Sequence, residues 1–331
     1  MGALTVISAR RLRLLAATAA AVLVTGACSA GEPSDRTEGS IDAAPASAEG
    51  GGMHPVETSE QDWRAVADTL GREGEMQGGT VYRTGFGRSD LTVTSQGVRV
   101  DAGLSLGSWA AFARYPDGTT MAMGDLVVTE DELPAVTDAL QEAGIAQTAL
   151  HKHLPEHTPD VWWTHFHATG KNPVEIAQGV RAALDATDTP PPAPPSDEEP
   201  DLDTEAIDEV MGTEGTNAGG IYKFSFTRAE TITDHHKVLP PAMGVTTAIG
   251  FQPTGDGDAA INGDFAMTAD EVQPVIQALR RGGIEVVALH NHGLGEHPRL
   301  FYAHFWAEDD AVRLAQALKR AIDATDVIPA E

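Results

Sequence analysis

The sequence predicts an α+β fold of two tandem repeats, each a mostly antiparallel sheet with helices packed on one face. Residues 124–165 match residues 263–304 without a gap, and 16 of the 42 compared positions are identical. Each half also alternates short strand patterns with helical patterns, which is typical of a β-β-α-β-β-α core. The chain of 331 residues contains one cysteine, so packed cores rather than disulfides must stabilise the fold.

Strand patterns open the first repeat. Residues 110–115 and 121–128 flank a Pro-Asp-Gly turn and therefore predict two strands joined by that turn. Residues 81–86 and 91–94 predict additional strands upstream.

A helix follows these strands. Thr-Glu-Asp-Glu at 129–132 and Thr-Ala-Asp-Glu at 268–271 have the spacing of a capping box, in which threonine and glutamate satisfy each other's backbone donors. Apolar residues at helical spacing continue from these boxes toward Gly144 and Gly283, which predict left-handed helix ends.

Two more strands and a second helix complete each repeat. Strand patterns occupy residues 145–153 and 161–167 in the first repeat, and 284–292 and 300–306 in the second. The helices that follow have apolar residues at four-residue spacing: Ile176, Val180 and Leu184, matched by Leu314, Leu318 and Ile322.

Histidines recur on these last two strands. His-x-His occurs at 151–153 and again at 290–292, and His165 and His304 follow on the neighbouring strands. Residues two apart on a strand share a face, and directly opposed residues of antiparallel strands share it too. We therefore expect at least three imidazoles of each repeat to converge on one patch. The expected cross-strand pairs are His153 with His165, His151 with His167, His292 with His304, and His290 with Trp306.

Converging imidazoles are a ligand set for zinc or another transition ion. A His-x-His strand with a histidine on its antiparallel neighbour is also the ligand geometry of carbonic anhydrase, an analogy of geometry alone. One interpretation is therefore a metal-binding protein, with hydrolysis as a fitting activity. Its predicted ligands are His290, His292 and His304, with His151, His153 and His165 as a second or degenerate site.

Carboxylates lie in the turns between the paired strands. Glu296 is the candidate catalytic base, and Glu296 or Glu156 could instead be a fourth ligand or orient an imidazole. The ungapped comparison sets His157 opposite Glu296, whereas matching the Glu-His dipeptides requires a shift of one residue. The spacing from His290 and His292 to Glu296 also resembles the first cupin motif, without the glycines that flank it.

The alternative interpretation is a non-enzymatic binding module at the cell envelope. Histidines can recur because they bond backbone carbonyls. A polar pocket with Arg299 at its edge would then capture a small polar or acidic ligand. The sequence contains no glycine-rich phosphate loop, dinucleotide fingerprint, or serine or cysteine nucleophile motif. None of these patterns fixes the oligomeric state.

The amino-terminal segment predicts export and a lipid anchor. Three arginines at 10–13 precede an apolar run at 14–24, and Thr-Gly-Ala-Cys ends at Cys28, as in a bacterial lipoprotein signal. Residues 1–27 would be removed, and Cys28 would carry a lipid such as palmitate that holds an extracytoplasmic protein at the membrane. An ordinary secretory signal is the alternative.

Composition divides the rest of the chain. Residues 28–60 are rich in serine, glycine, alanine, proline and acids, and predict a disordered tether. Residues 188–203 predict an extended proline- and acid-rich linker between repeat 1, at 61–187, and repeat 2, at 204–326.

The chain is strongly acidic. Its net charge is −27, or −30 without residues 1–27, which carry three arginines and no acid. Such a surface repels nucleic acid and anionic lipid head groups, so cations, including metals, are the more natural ligands.

Five short strings carry a resemblance to a known family: Ser-Trp-Ala-Ala-Phe at 108–112, Gly-Asp-Phe at 263–265, Ala-Leu-His-Asn-His at 288–292, Pro-Arg at 298–299 and His-Phe-Trp-Ala at 304–307. Together they resemble the LppY/LpqO family of bacterial lipoproteins, over about residues 60–325. The first repeat departs from the pattern, with Asp160 where Arg299 would stand. The resemblance implies a duplicated secreted domain of unknown function and no catalytic assignment.

Overall fold

Each repeat is built around one antiparallel sheet. The computed structural model describes residues 51–194 and 196–330, which belong to one compact unit. The predicted signal peptide and Cys28 lie outside the described residues, as does the predicted tether up to residue 50. No helix of the described residues is long and apolar enough to cross a membrane.

The helices and strands follow one another in nearly the same order in the two repeats. The first repeat contains α1 (Glu60–Leu70), β1 (Glu75–Gln77), β2 (Val81–Gly87), β3 (Val93–Ser95), β4 (Val98–Val100), α2 (Ala102–Ser105), β5 (Gly107–Arg114), β6 (Thr120–Thr129), α3 (Leu133–Glu142), β7 (Ala146–His151), β8 (His157–Thr158), β9 (Val161–Gly170) and α4 (Pro173–Asp185). The second repeat contains α5 (Thr204–Met211), β10 (Thr216–Ala218), β11 (Ile221–Arg228), β12 (Thr233–Asp234), β13 (Lys237–Val238), a 3-10 helix (Pro241–Met243), β14 (Thr246–Gly255), β15 (Asp258–Met267), α6 (Val272–Arg281), β16 (Glu285–His290), β17 (Glu296–His297), β18 (Phe301–Asp310), α7 (Ala311–Ile322) and β19 (Val327–Pro329).

The strands of both repeats pair in the same order. The first sheet runs β1-β2-β5-β6-β9-β7 and the second runs β10-β11-β14-β15-β18-β16, with β19 beside β11. These pairings are antiparallel. Two small sheets, β4-β3-β8 and β13-β12-β17, extend the repeats. The expected mixed α/β fold with antiparallel sheets in two repeats is confirmed.

Each main sheet has one face covered by helices and one face turned toward the other repeat. Helices α1, α3 and α4 pack with Phe166 on the first sheet, and α5, α6 and α7 pack on the second. The opposite faces form shared cores. One shared core contains Met123 and Leu300, and another contains Trp163 and Trp306. The two repeats therefore bury their inner sheet faces against each other.

The predicted capping box of the first repeat is present, whereas in the second repeat only the glutamate half forms, because Thr268 Oγ1 donates to Asp270 Oδ1 instead. Thr129 N donates to Glu132 Oε2 at 2.8 Å, and Thr268 N donates to Glu271 Oε2 at 2.7 Å. Each glutamate also binds a buried arginine: Arg88 pairs with Glu132 at 2.8 Å and Arg228 pairs with Glu271 at 2.6 Å. Because a buried guanidinium needs a carboxylate partner, this duplicated contact fixes α3 and α6 to their sheets.

The last part of the predicted tether contacts both repeats. Met53 N donates to His236 O, and Val56 N donates to Arg114 O, each at 2.8 Å. The prediction that disorder continues to residue 60 is therefore wrong for this part of the chain, because backbone hydrogen bonds hold it on the fold.

Candidate metal centre

The predicted site histidines of the last strands lie on the inner faces of the two sheets. On β9, Phe166 packs with the helices, so its neighbour His165 points to the other repeat. Phe305 and His304 alternate in the same way on β18. His165 and His304 are each 4% exposed, which places both imidazoles in the interior.

The expected strand register is wrong. Ala149 rather than His153 pairs with His165, and Ala288 pairs with His304 in the second repeat. Both β7 and β16 contain a register shift typical of a β-bulge, and each ends before the second histidine of its His-x-His pattern. Because the pairing differs by four residues, an even number, the histidines remain on the expected face.

His167 and Trp306 are not opposite a site histidine, contrary to expectation. Their partners on the neighbouring strands are Ala146 and Glu285. The imidazole of His167 instead reaches the second repeat, where its Nδ1 lies 3.1 Å from Asp234 Oδ2.

The other six predicted histidines form one cluster between the repeats rather than two separate sites. Each histidine from one repeat lies against a histidine from the other. The distances between ring centroids are 3.7 Å for His151 and His290, 3.6 Å for His153 and His304, and 4.0 Å for His165 and His292. These six residues are the histidine cluster.

The histidine cluster has approximate two-fold symmetry. Exchange of the repeats converts the contact between His153 and His304 into the contact between His292 and His165. It leaves the contact between His151 and His290 unchanged. The symmetry axis therefore passes between His151 and His290. Such an axis arises when duplicated halves bury the same surface against each other.

The rings direct Nε2 atoms toward the centre of the cluster. His292 Nδ1 donates to Gly244 O at 2.8 Å and His304 Nδ1 donates to Gly263 O at 2.7 Å, so Nε2 of each ring keeps its lone pair. His304 Nε2 lies 3.1 Å from His151 Nε2. In the described part of the chain, the buried cluster Nε2 atoms without a hydrogen-bond partner include those of His153, His165 and His290.

Two aspartates lie beside the imidazoles, and the sequence prediction missed both. Asp125 pairs with His165 across the strands, and Asp264 pairs with His304. Asp264 Oδ2 is 2.9 Å from His292 Nε2, and Asp125 Oδ2 is 3.7 Å from His165 Nε2. A signal was present in the sequence, because Gly-Asp opens both halves of the 42-residue match.

The glycine before each aspartate lets neighbouring strands approach closely. A Cβ on Gly124 would lie 2.4 Å from Trp109 O, and a Cβ on Gly263 would lie 2.1 Å from Ala248 O. No side chain fits at these distances, so the repeated glycine is needed to bring the aspartate into place.

Three sets of three histidines hold their donor atoms within 4.8 Å of one another. Two of the three sets combine residues of both repeats. The sets are His151, His153 and His165; His151, His290 and His304; and His165, His290 and His292. We refer to them as the three triads.

Comparison with known proteins identifies the family. Residues 64–186 and 205–324 each match the family model described as Domain of Unknown Function (DUF1259). The chain belongs to this family. The predicted duplicated domain of unknown function is confirmed, whereas the name LppY/LpqO stays a prediction. No curated protein matches.

Two solved structures are similar to this chain at 13% identity and a TM-score of 0.18. One is a trimeric bacterial microcompartment shell protein, PduB, with 75% of this chain and 92% of that chain covered. The other is the double-ringed trimeric shell protein MSM0271 from the RMM microcompartment, with 62% and 82% covered.

Burial favours the uncharged form of four imidazoles between the two DUF1259 domains. It lowers the pKa of His151, His153, His165 and His290, and neighbouring histidines lower these pKa values further. Burial also raises the pKa of Asp125 to about 7. Neutral imidazole is the form of histidine that binds a metal ion.

A cavity of about 260 Å³ opens onto the cluster and is lined by both DUF1259 domains. Both aspartates and four cluster histidines line it. Trp109 and Leu104 form part of an apolar wall, and Arg83 and Lys223 contribute two cationic side chains. A small molecule in this cavity would therefore contact the cluster directly.

The predicted residues Glu296 and Arg299 do not line this cavity. Glu296 is buried on β17 opposite Asp234, and Arg299 Nη1 lies 3.5 Å from its Oε1. His157 occupies the equivalent place on β8, as the ungapped comparison predicts. Glu156 is exposed. The carboxylates beside the imidazoles are aspartates, and the roles predicted for Glu296 and Arg299 stay predictions.

Proposed function

We propose that the two repeats together bind a transition-metal ion, zinc above all, within the histidine cluster. The observation that carries the proposal is the convergence of buried Nε2 atoms that have no hydrogen-bond partner among the described residues. A buried polar atom left unpaired costs about 1–3 kcal/mol. A cation that accepts the lone pairs of several such atoms removes this cost.

A comparison within the chain supports this proposal over purely structural histidines. His157, which is also buried, uses both ring nitrogens on backbone groups: Nδ1 lies 2.9 Å from Leu154 O and Nε2 lies 3.0 Å from Val161 O. The cluster histidines differ, because Nδ1 of His292 or His304 bonds a carbonyl while Nε2 points inward. This arrangement is typical of metal-ligating histidine, whose second nitrogen is fixed by the protein.

The donor atoms favour zinc over calcium or magnesium. Imidazole nitrogens suit zinc, copper, nickel and iron, whereas calcium and magnesium take oxygen ligands. Asp125 and Asp264 add oxygen donors beside the rings. A bound zinc ion with an open position supplies a Lewis acid, so hydrolysis is the reaction class that we attach to the proposal.

The three triads favour one ion per chain. Any two of them share a histidine, and a neutral imidazole offers one nitrogen lone pair. An ion in one triad therefore excludes an ion in either of the others. Two ions per chain would mean that Asp125 and Asp264 complete separate ligand sets.

The proposal includes a location at the cell envelope. It rests on the amino-terminal sequence, in which Cys28 follows an apolar run and small residues. A lipid on Cys28 would hold the two repeats outside the cytoplasm, on the membrane surface.

Elemental analysis of the full-length protein, purified without a histidine tag, tests the proposal. Cells would be supplied separately with zinc, copper, nickel, manganese or iron. We expect about one ion per chain. His290→Ala removes a member of two triads and should release the metal, whereas the exposed His236→Ala should retain it.

Two results would contradict the proposal. One is wild-type protein without metal under every condition, and the other is unchanged metal content in His290→Ala. If His290→Ala does not fold, His290→Gln preserves much of the side-chain volume and provides the same comparison.

A further inference from the structure

The two cationic residues of the cavity occupy equivalent positions in the repeats. Arg83 follows Tyr82 on β2, and Lys223 follows Tyr222 on β11. The hydroxyl group of each tyrosine accepts a hydrogen bond from a glycine N–H. The approximate two-fold axis therefore brings one cation from each repeat to the cavity, beside the histidine cluster.

Alternation along the strands directs both cations inward. Tyr82 packs in the core beneath the helices of the first repeat, and Tyr222 does so in the second. The next residue on each strand, Arg83 or Lys223, therefore lies on the inner face of its sheet. Both side chains are partly buried.

No carboxylate neutralises these cations at close range. Within the described part of the chain, neither Arg83 nor Lys223 has an acidic oxygen within the 4.0 Å of a salt bridge. Arg83 Nη1 donates to Ala242 O at 2.7 Å, and its guanidinium carbon lies 3.8 Å from the ring centre of Trp109. These contacts orient the arginine without pairing its charge with a carboxylate.

The cations also act on each other. Burial lowers the pKa of Lys223, and the charge of Arg83 lowers it further. Burial lowers the pKa of Arg83 to about 10, against the opposing effect of Asp125. Two partly buried like charges destabilise each other, and an anion between them reverses that effect.

We propose that the cavity binds a small organic anion whose oxyanion head group, a phosphate or a carboxylate, lies between Arg83 and Lys223. Its apolar part would pack on Trp109 and Leu104. The proposal rests on the proposed metal site in one respect, namely that the bound molecule faces that site. A volume of about 260 Å³ admits a small molecule and excludes a folded partner.

Isothermal titration calorimetry of the full-length protein with three small ligands that share a phenyl ring tests this proposal. The ligands are phenyl phosphate, benzoate and uncharged benzyl alcohol, and the zinc content of each sample is measured in parallel. We expect phenyl phosphate to bind at least about tenfold more tightly than benzyl alcohol. Benzoate binding more tightly than phenyl phosphate would support the proposal and identify a carboxylate ligand.

Variants of similar size identify the cations responsible. Arg83→Met and Lys223→Met should each weaken phenyl phosphate binding at least about tenfold, with zinc content unchanged. The exposed Arg99→Met removes the same charge elsewhere and should leave binding unchanged. Using two separate variants keeps the test decisive if one of them does not fold.

The failure of this proposal can be distinguished from failure of the metal site. Zinc-containing protein that binds phenyl phosphate no better than benzyl alcohol, or equally well in both methionine variants, overturns the anion site alone. Protein without zinc overturns the metal site. Charge-dependent binding that needs Arg83 and Lys223 in such protein would still support the anion site.

Discussion

His151 and His290 lie with their ring centroids 3.7 Å apart, although 139 residues separate them in the sequence. They occupy the same position in the two repeats. His151 joins one triad within its own repeat and another with His290 and His304. The proposed site therefore consists of residues from both repeats.

Substitutions at His151 and His290 should be coupled. Each alanine variant should weaken zinc binding at least about tenfold. The double variant should lose less binding free energy than the sum of the single losses, because both residues act on the same ion. Competition titration with a zinc chelator measures the affinity of the wild type and the three variants. Additive losses of binding free energy would indicate two independent sites.

The buried aspartates should strengthen metal binding. Asp264→Asn keeps the side-chain shape but removes the charge 2.9 Å from His292 Nε2, so zinc affinity should fall about 10–100-fold. Asp256→Asn on an exposed turn is the matched control and should bind zinc like the wild type. The same chelator titration measures both, and equal affinities would exclude a role for Asp264.

Metal-free protein should become more stable as the pH rises from about 5 to about 6.5. Histidines of the unfolded chain bind protons below about pH 6.5, whereas burial lowers the pKa of five cluster histidines in the fold. The unfolded state then holds more protons, so the free energy of unfolding increases with pH. Each histidine contributes up to about 1.4 kcal/mol per pH unit. The five are His151, His153, His165, His290 and His304.

The carboxyl group of Asp125 opposes this increase of stability with pH, but it contributes only one proton. Its raised pKa of about 7 means that the folded state keeps a proton that an unfolded aspartate releases near pH 3.9. Its stabilising contribution is therefore lost as the pH rises toward 7, but the five histidines outweigh it. Urea denaturation in EDTA at several pH values measures the slope, and a flat or falling free energy of unfolding contradicts this prediction.

The contact between Glu132 and Arg88 should contribute to stability independently of metal. Glu132→Ala removes a capping-box partner and leaves the buried Arg88 with Asp90 as its remaining carboxylate. We expect a loss of about 3 kcal/mol in the free energy of unfolding, measured by urea denaturation. Glu130→Ala, at an exposed neighbouring position, should change it by less than about 0.5 kcal/mol.

Local features of the fold could be predicted from the sequence because they depend on near neighbours. The capping boxes predict the starts of α3 and α6, and Gly144 and Gly283 do have the expected positive φ, at 68° and 79°. Two-residue alternation likewise predicts that His151 and His153 share a face. These inferences need only the geometry of one helix or strand.

The joint site could not be predicted in the same way. The spacing of His151 and His290 does not show which faces of the two sheets contact each other. It is this contact that brings the two rings together. The register differs by four residues from the expected one, and a β-bulge in each strand shifts the pairing by one further residue. Asp125 and Asp264 each lie on a strand that contains no histidine, so the spacing of the histidines does not point to them.

Anomalous diffraction at the zinc edge from crystals of the zinc-loaded protein tests the central claim most directly. The account predicts one strong peak between the repeats, roughly 2.0–2.1 Å from Nε2 atoms that include His290 and a histidine of the first repeat. A peak bound by one repeat alone, or no peak within the histidine cluster, would contradict it.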